Sequence, residues 1–233
     1  MIIFKSHQTI DIITPYLPEN PVIVEAGAYN GLDTIKIAHH WPQGTVHAFE
    51  PVPDIFTRLQ QTTASYKNIN IYNVALSDVD GTALLYLAEK KEKPGVVTQA
   101  SSLHAPKERL QVSPIIFPRT LSVPTITLDT WSQRYNITHV DMLWLDVQGH
   151  ELAVLKAAPT LLKTVSAVLL EVAFIQAYAE QPSVDEVMTW MSTAGFTCVA
   201  RDFVDENQWF FGNLLFVRQS SSISSTGSSE SSS

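Results

Sequence analysis

Cysteine is nearly absent: the 233 residues contain one, Cys198. A lone thiol excludes an intrachain disulfide and a cysteine-based zinc site, and it fits a reducing, cytoplasmic setting. Basic charge is scarce too, with 15 Lys and Arg against 23 Asp and Glu and a formal net charge of −8. Sequence-independent binding of nucleic acid needs a basic surface that displaces counterions, so nucleic acid is not an expected partner. The densest basic group, Lys90, Lys91 and Lys93, is interleaved with Glu89 and Glu92. Long apolar runs are missing as well. The longest, Val165 to Ala179, is interrupted by Glu171 and Gln176 and falls short of the ~20 residues a bilayer span requires. The opening MIIFKSHQTIDII breaks its apolar run with Lys5, His7, Gln8 and Asp11, unlike a secretory leader. A soluble protein with no membrane partner is expected.

What is present is apolar material: 45% of the chain, against 16% charged, enough for a sizeable core. Residues 220–233 stand apart, because ten of those fourteen positions are serine. They have almost no apolar area to offset the entropy of ordering, so a disordered tail is expected. Residues 1–20 are expected to form a helical segment ahead of one domain over 21–219.

Within that domain short apolar runs alternate with amphipathic ones. Val22-Ile23-Val24, Thr45 to Phe49 and Ile69 to Val74 read as strands, with helices over Gly31 to Trp41 and Pro53 to Ser65. Asp80-Gly81 marks a turn into a strand from Thr82 to Leu87. Residues 89–120 break the rhythm with four prolines, mixed charge and no sustained period. A connection of that length is a lid or binding loop over the site, or else a mobile surface insertion. Alternation then resumes with a strand from Val123, a helix from Asp129, the strand Met142 to Leu145, a helix over Gly149 to Ala158 and the strand Val165 to Ala173. Ser183 with Glu186 three residues on reads as a capping box for the next helix. Phe196 to Ala200 and Phe210 to Val217 are two last strands with no helix between them. The expected fold is a doubly wound α/β domain, a mostly parallel seven-stranded sheet with one antiparallel strand at an edge.

Four segments carry chemistry. Glu25-Ala26-Gly27-Ala28-Tyr29-Asn30-Gly31 follows the first strand and opens the first helix. Its glycines allow a tight turn and close approach of a ligand, and its acid suits a cationic ligand portion better than a phosphate. Glu50-Pro51 ends the second strand, nineteen residues after Gly31, where a carboxylate can accept from the vicinal hydroxyls of a ribose. Ser77 and Asp78, beyond the third strand, could meet an adenine amino group, although both are ordinary turn residues. Asp146 ends a buried strand and begins the segment Asp146-Val147-Gln148-Gly149-His150-Glu151, the place where open α/β sheets keep their chemistry. His150 and Glu151 read as surface or capping residues. Glu171 is an acid inside an apolar strand, which is costly unless it is paired or functional.

In order and spacing these segments, together with the triplet Ser101-Ser102-Leu103 and the run Thr125 to Trp131, resemble the FkbM-type family of S-adenosylmethionine-dependent methyltransferases over roughly residues 20–218. The resemblance implies a class I, Rossmann-like methyltransferase fold. It implies that Glu25, Gly27, Gly31, Glu50 and Asp78 contact S-adenosylmethionine, with Ala28, Tyr29, Asn30, Pro51 and Ser77 beside them. It further implies O-methylation of a small-molecule or glycan hydroxyl. Glu25 stands where the family usually has aspartate, and Gln148 where it most often has glutamate. Asp146 and Glu171 are the expected catalytic pair, acting on the acceptor proton, with a divalent metal as the less favoured alternative. Ser101, Ser102 and His104 are the expected substrate contacts of the lid. Two other readings stay open: a nicotinamide-dependent oxidoreductase, against which the missing G-x-G-x-x-G argues, and an inactive methyltransferase fold kept as a binding partner.

Overall fold

The computed structural model describes residues 1–204 and 210–219; the serine-rich stretch 220–233, with its expected disorder, lies outside them. The chain runs β1 (Ile2–Ile3), α1 (Thr9–Ile13), β2 (Val22–Ala26), α2 (Leu32–His40), β3 (Thr45–Phe49), α3 (Pro53–Thr63), β4 (Ile69–Tyr72) and β5 (Ala75–Leu76). It continues through β6 (Gly81–Lys90), β7 (Lys93–Val97), α4 (Arg109–Val112), β8 (Ile115–Ile126), α5 (Leu128–Arg134) and β9 (Met142–Leu145). It closes with α6 (Glu151–Lys156), β10 (Ala167–Ala173), α7 (Val184–Thr193), β11 (Phe196–Arg201) and β12 (Phe211–Arg218).

The main sheet has the order β1-β11-β12-β10-β9-β2-β3-β4. Its strands alternate between two apolar layers. Val24, Ala26, Leu143, Leu145, Val168 and Leu170 face one layer; Ile23, Met142, Ala167 and Leu169 face the other, where α2 and the N-terminal segment pack. Strands covered on both faces can be apolar throughout, which is why they read as unbroken runs in the sequence. The helices are set by local chemistry. Thr127 caps α5 by accepting from Thr130 N–H, and Ser183 with Glu186 forms the expected capping box of α7.

Three expectations are corrected. The antiparallel strand β12 is interior, pairing with β10 from Ala167↔Val217 to Ala173↔Phe211 and with β11 on its other side. Leu214, Leu215 and Phe216 are all buried, and a strand apolar on both faces is unsuited to an open edge. The sheet has eight strands, because the N-terminal segment starts extended: Ile2–Ile3 pair in parallel with Ala200 and Arg201, and helical turns begin only at Ser6. The stretch 89–120 is not aperiodic. β6 and β8 form a long antiparallel ladder from Gly81↔Thr125 to Lys90↔Ile115, within a second sheet of order β5-β8-β6-β7. Prolines 94, 118 and 124 interrupt the alternation that would have shown these strands. Among the described residues no helix is long and apolar enough to cross a membrane.

Candidate active site

The order of the main sheet reverses between β2 and β9, so the chain leaves these two neighbours in opposite directions. Ligands of open α/β sheets bind beyond the strand ends at such a point. The turn after β2 is held by Gly27 and Ala28, whose N–H groups both donate to the carbonyl of Phe49 at the end of β3. Gly27 has φ +86°, and a Cβ there would lie 2.0 Å from the carbonyl oxygen of Asp146. The glycine is therefore demanded by the neighbouring strand as well as by any ligand. Gly31, at φ +84°, forms the N-cap of α2.

Glu25 is 4% exposed, and its Oε2 has no hydrogen-bond partner. Burial pushes its carboxyl up to about 8. Glu50 is buried as well, but engaged: Oε1 accepts from Val52 N–H at 2.8 Å and Oε2 from Tyr29 N–H at 3.1 Å. Burial outweighs those two bonds and raises its carboxyl to about 7. Each of its oxygens keeps a lone pair for a further donor. Between Glu50 and the segment after β7 lies a recess of about 60 Å³, walled by Gly27, Tyr29, Glu50, Pro51 and Ser101 among others. Gly27, Tyr29, Gln99 and Asp146 also wall a second recess of about 240 Å³, beside Glu25, Ala28 and Asn30. Ser77 and Asp78 line neither of these recesses. Ser77 is buried against His150 Nε2 at 3.1 Å, and the half-exposed Asp78 lies on an open groove. Val74, Ala75 and Leu76, just before them in the chain, wall the first recess.

On the other side of the switch point Asp146 and Glu171 converge through Gln148. Its Nε2 donates to Asp146 Oδ1 and to Glu171 Oε2, both at 2.6 Å. Its Oε1 lies 2.7 Å from the Tyr178 hydroxyl, which is also 2.8 Å from the carbonyl of Ala100. Gln148 adopts φ +55°, a left-handed conformation that turns its side chain back between the two acids. Burial raises both carboxyls; Glu171 stands well above the usual range, pushed further by the charges of Asp146 and Glu151. Among the described residues no three His, Cys, Asp or Glu side chains gather as a metal-binding group.

The three lid residues are not grouped around one substrate position. Ser101 accepts from Ala88 N–H and walls the first recess. Ser102 is buried and donates to the carbonyl of Gln148 at 2.7 Å. His104 turns away to His150, with 2.9 Å between their ring nitrogens. Residues 98–106 form a strap rather than a free lid. Ser102 exchanges backbone bonds with Tyr86, and Ala179 N–H donates to the carbonyl of Ala105.

His150 and Glu151 are buried, not surface residues. Glu151 does cap, accepting from Val147 and Gly149 N–H groups. Sequence reading missed Gln148 as a bridge and Tyr178 altogether. The sole local signal was the pairing of Gln148 with Gly149 at a strand end.

Comparison with known proteins agrees with this geometry. The Methyltransferase FkbM domain family matches residues 25–198. The chain is 27% identical over 147 residues to the 2-O-methyltransferase NoeI of Sinorhizobium fredii (strain NBRC 101917 / NGR234), covering 62% of this chain and 60% of that protein. It is 28% identical over 160 residues to Methyltransferase sdnD of Sordaria araneosa, covering 60% and 61%. The chain thus spans about 60% of the length of these relatives. Among solved structures, an rRNA methylase from Streptococcus thermophilus superimposes with a TM-score of 0.53 at 12% identity, over 94% of this chain and 99% of that one. At that identity the likeness speaks for the class I methyltransferase fold alone. Strand order, switch-point acids and family match together place this chain in the FkbM methyltransferase domain family.

Proposed function

We propose that the chain is an S-adenosylmethionine-dependent methyltransferase that O-methylates a hydroxyl of a sugar or related small molecule. The observation that carries this reading is the division of labour at the switch point. Two buried acids, Glu25 and Glu50, face the recesses on the β2–β3 side, and Asp146, bridged to Glu171 by Gln148, borders both recesses from the end of β9. The donor set fits the cofactor: the unpartnered Oε2 of Glu25 suits a cationic amino group, and Glu50 suits the vicinal hydroxyls of a ribose. Bound there, S-adenosylmethionine would supply a methyl group already activated by a sulfonium.

The chain's own task is then to orient an acceptor hydroxyl and remove its proton. Asp146, shared by the recesses and the acid pair, is placed to accept that proton as the new C–O bond forms. Glu171 and Gln148 hold Asp146 in position. A divalent cation is the less favoured way to acidify the hydroxyl, because the Gln148 amide already stands between the two carboxylates. The relative NoeI is a 2-O-methyltransferase, which favours a hydroxyl acceptor.

The test is calorimetric titration with S-adenosylhomocysteine and with NADH, followed by radiolabelled methyl transfer to glycan fractions and to RNA, with and without EDTA. Binding of S-adenosylhomocysteine alone and label in the glycan fraction are expected. Binding of NADH, or label confined to RNA, would replace this reading.

A further inference from the structure

The N-terminal segment had no functional part in the sequence reading, yet it is built into the site. Phe4 is 3% exposed and Ile13 is 1% exposed, so both ends of the intervening turn are sunk in the core. The turn is braced from within: Lys5 N–H donates to Gln8 Oε1 at 3.0 Å and Thr9 Oγ1 donates to the Ser6 carbonyl at 2.7 Å. Beneath Ser6 and His7 is a cavity of about 540 Å³, within the roughly 300–1,000 Å³ range of small-molecule sites. Its far wall is Trp144, Asp146, Glu171 and Asn213. Asp146 also borders both recesses on the β2–β3 side, so a molecule in this cavity meets the carboxylate that faces them.

We propose that this cavity, roofed by Ser6 and His7, is the acceptor site, and that it takes a neutral ring bearing free hydroxyls, a pyranoside or cyclitol. The proposal rests on the methyltransferase reading for its chemistry and on the cavity for its place. Asp146 and Glu171 present oxygens that accept from hydroxyls. The amide nitrogen of Asn213 is committed to Asp202 Oδ2 at 2.7 Å, which leaves its oxygen as an acceptor. Trp144 supplies a flat apolar wall with which the CH face of a ring can pack. The cavity's one lysine, Lys36, is held by Asp33 at 2.7 Å. A phosphorylated or sulfated acceptor would therefore meet three carboxylates, Asp33, Asp146 and Glu171, and a lysine already paired with one of them. The open groove around His104 and Asp78 lacks Asp146 among its walls, so an acceptor there would not meet the reacting acid.

The experiment measures binding of neutral methyl pyranosides (gluco, galacto, manno, fuco and rhamno) and of one sugar phosphate by saturation-transfer NMR and tryptophan fluorescence. It uses the full chain, with and without saturating S-adenosylhomocysteine. His7→Trp and Ser6→Trp fill the roof from exposed positions, with thermal melting as the check on folding. At least one neutral pyranoside should bind, and both variants should weaken it by about tenfold or more while affinity for S-adenosylhomocysteine stays within roughly twofold. No pyranoside bound, binding unchanged in a folded His7→Trp protein, or preference for the sugar phosphate would each overturn the proposal. Failure of the methyltransferase reading looks different: S-adenosylhomocysteine does not bind, while pyranoside binding persists and still responds to the roof variants.

Discussion

The two sides of the switch point hold their acids by different means. On the β2–β3 side Glu50 takes its hydrogen bonds from the backbone of Val52 and Tyr29, inside two short turns. On the β9–β10 side the acids are joined by Gln148, which is held in turn by Tyr178 and by Ser102 of the strap. One side is fixed by local turn geometry, the other by contacts among segments far apart in the chain. On the proposed reading, cofactor binding should tolerate substitutions that abolish turnover, and the two can be separated experimentally.

The largest effect should come where the sides touch. Gly27→Val puts a Cβ against the Asp146 carbonyl in a backbone conformation that valine rarely adopts, so a loss of at least ~4 kcal/mol of stability is expected in denaturant unfolding. A folded variant of near wild-type stability would mean the two strand ends are not in contact. Next, Asp146→Asn should leave S-adenosylhomocysteine binding nearly intact and reduce methyl transfer by a factor on the order of a hundred or more. Turnover near wild type would take Asp146 out of the mechanism. Glu50→Ala breaks the binding side instead, with an expected loss of ~1–3 kcal/mol, or roughly ten- to a hundred-fold in affinity for S-adenosylhomocysteine. Unchanged affinity in calorimetry would dispose of the ribose role.

The smallest effect is gradual. Glu25 and Glu50 are raised from 4.5 to about 8 and about 7 by burial. Between about pH 4.5 and those values the folded protein holds protons that the unfolded chain has released. The stability these two acids contribute should therefore fall as pH rises across that window, opposed by His47 and His150, which burial lowers to about 4. Glu50→Gln should flatten the part below about pH 7 in a series of denaturant midpoints. A Glu50→Gln series that runs parallel to the wild type over this range would show that Glu50 is not as buried as described.

The same contrast explains what could be read from the sequence. β2, β3, β9 and β10 were legible because strands buried on both faces leave unbroken apolar runs. Glu25, Gly27 and Glu50 were legible because each sits at the end of such a run. The interior place of β12 was not, since strand order is decided by pairing between Ala167–Ala173 and Phe211–Val217, which no local pattern records. Nor was the role of Gln148: a glutamine after a strand end looks like any turn residue until Glu171 and Tyr178 are brought to it. His150 and Glu151 looked solvent-facing because polar residues in a first helical turn commonly are. The strap that meets His150 comes from residues 98–106, more than forty positions earlier.

That strap reaches both sides of the switch point. Ser101 and Leu103 of the strap help wall the recess of about 60 Å³ beside Glu50, opposite Pro51 and Ile55. On the proposed reading, a cofactor that uses this recess meets the strap as one of its walls. The same backbone presents Ala100 to Tyr178 and Ser102 to the Gln148 carbonyl. The strap is thus a mechanical link between the two sides of the switch point: whatever displaces it from the recess also withdraws outer supports from the clamp on the two acids.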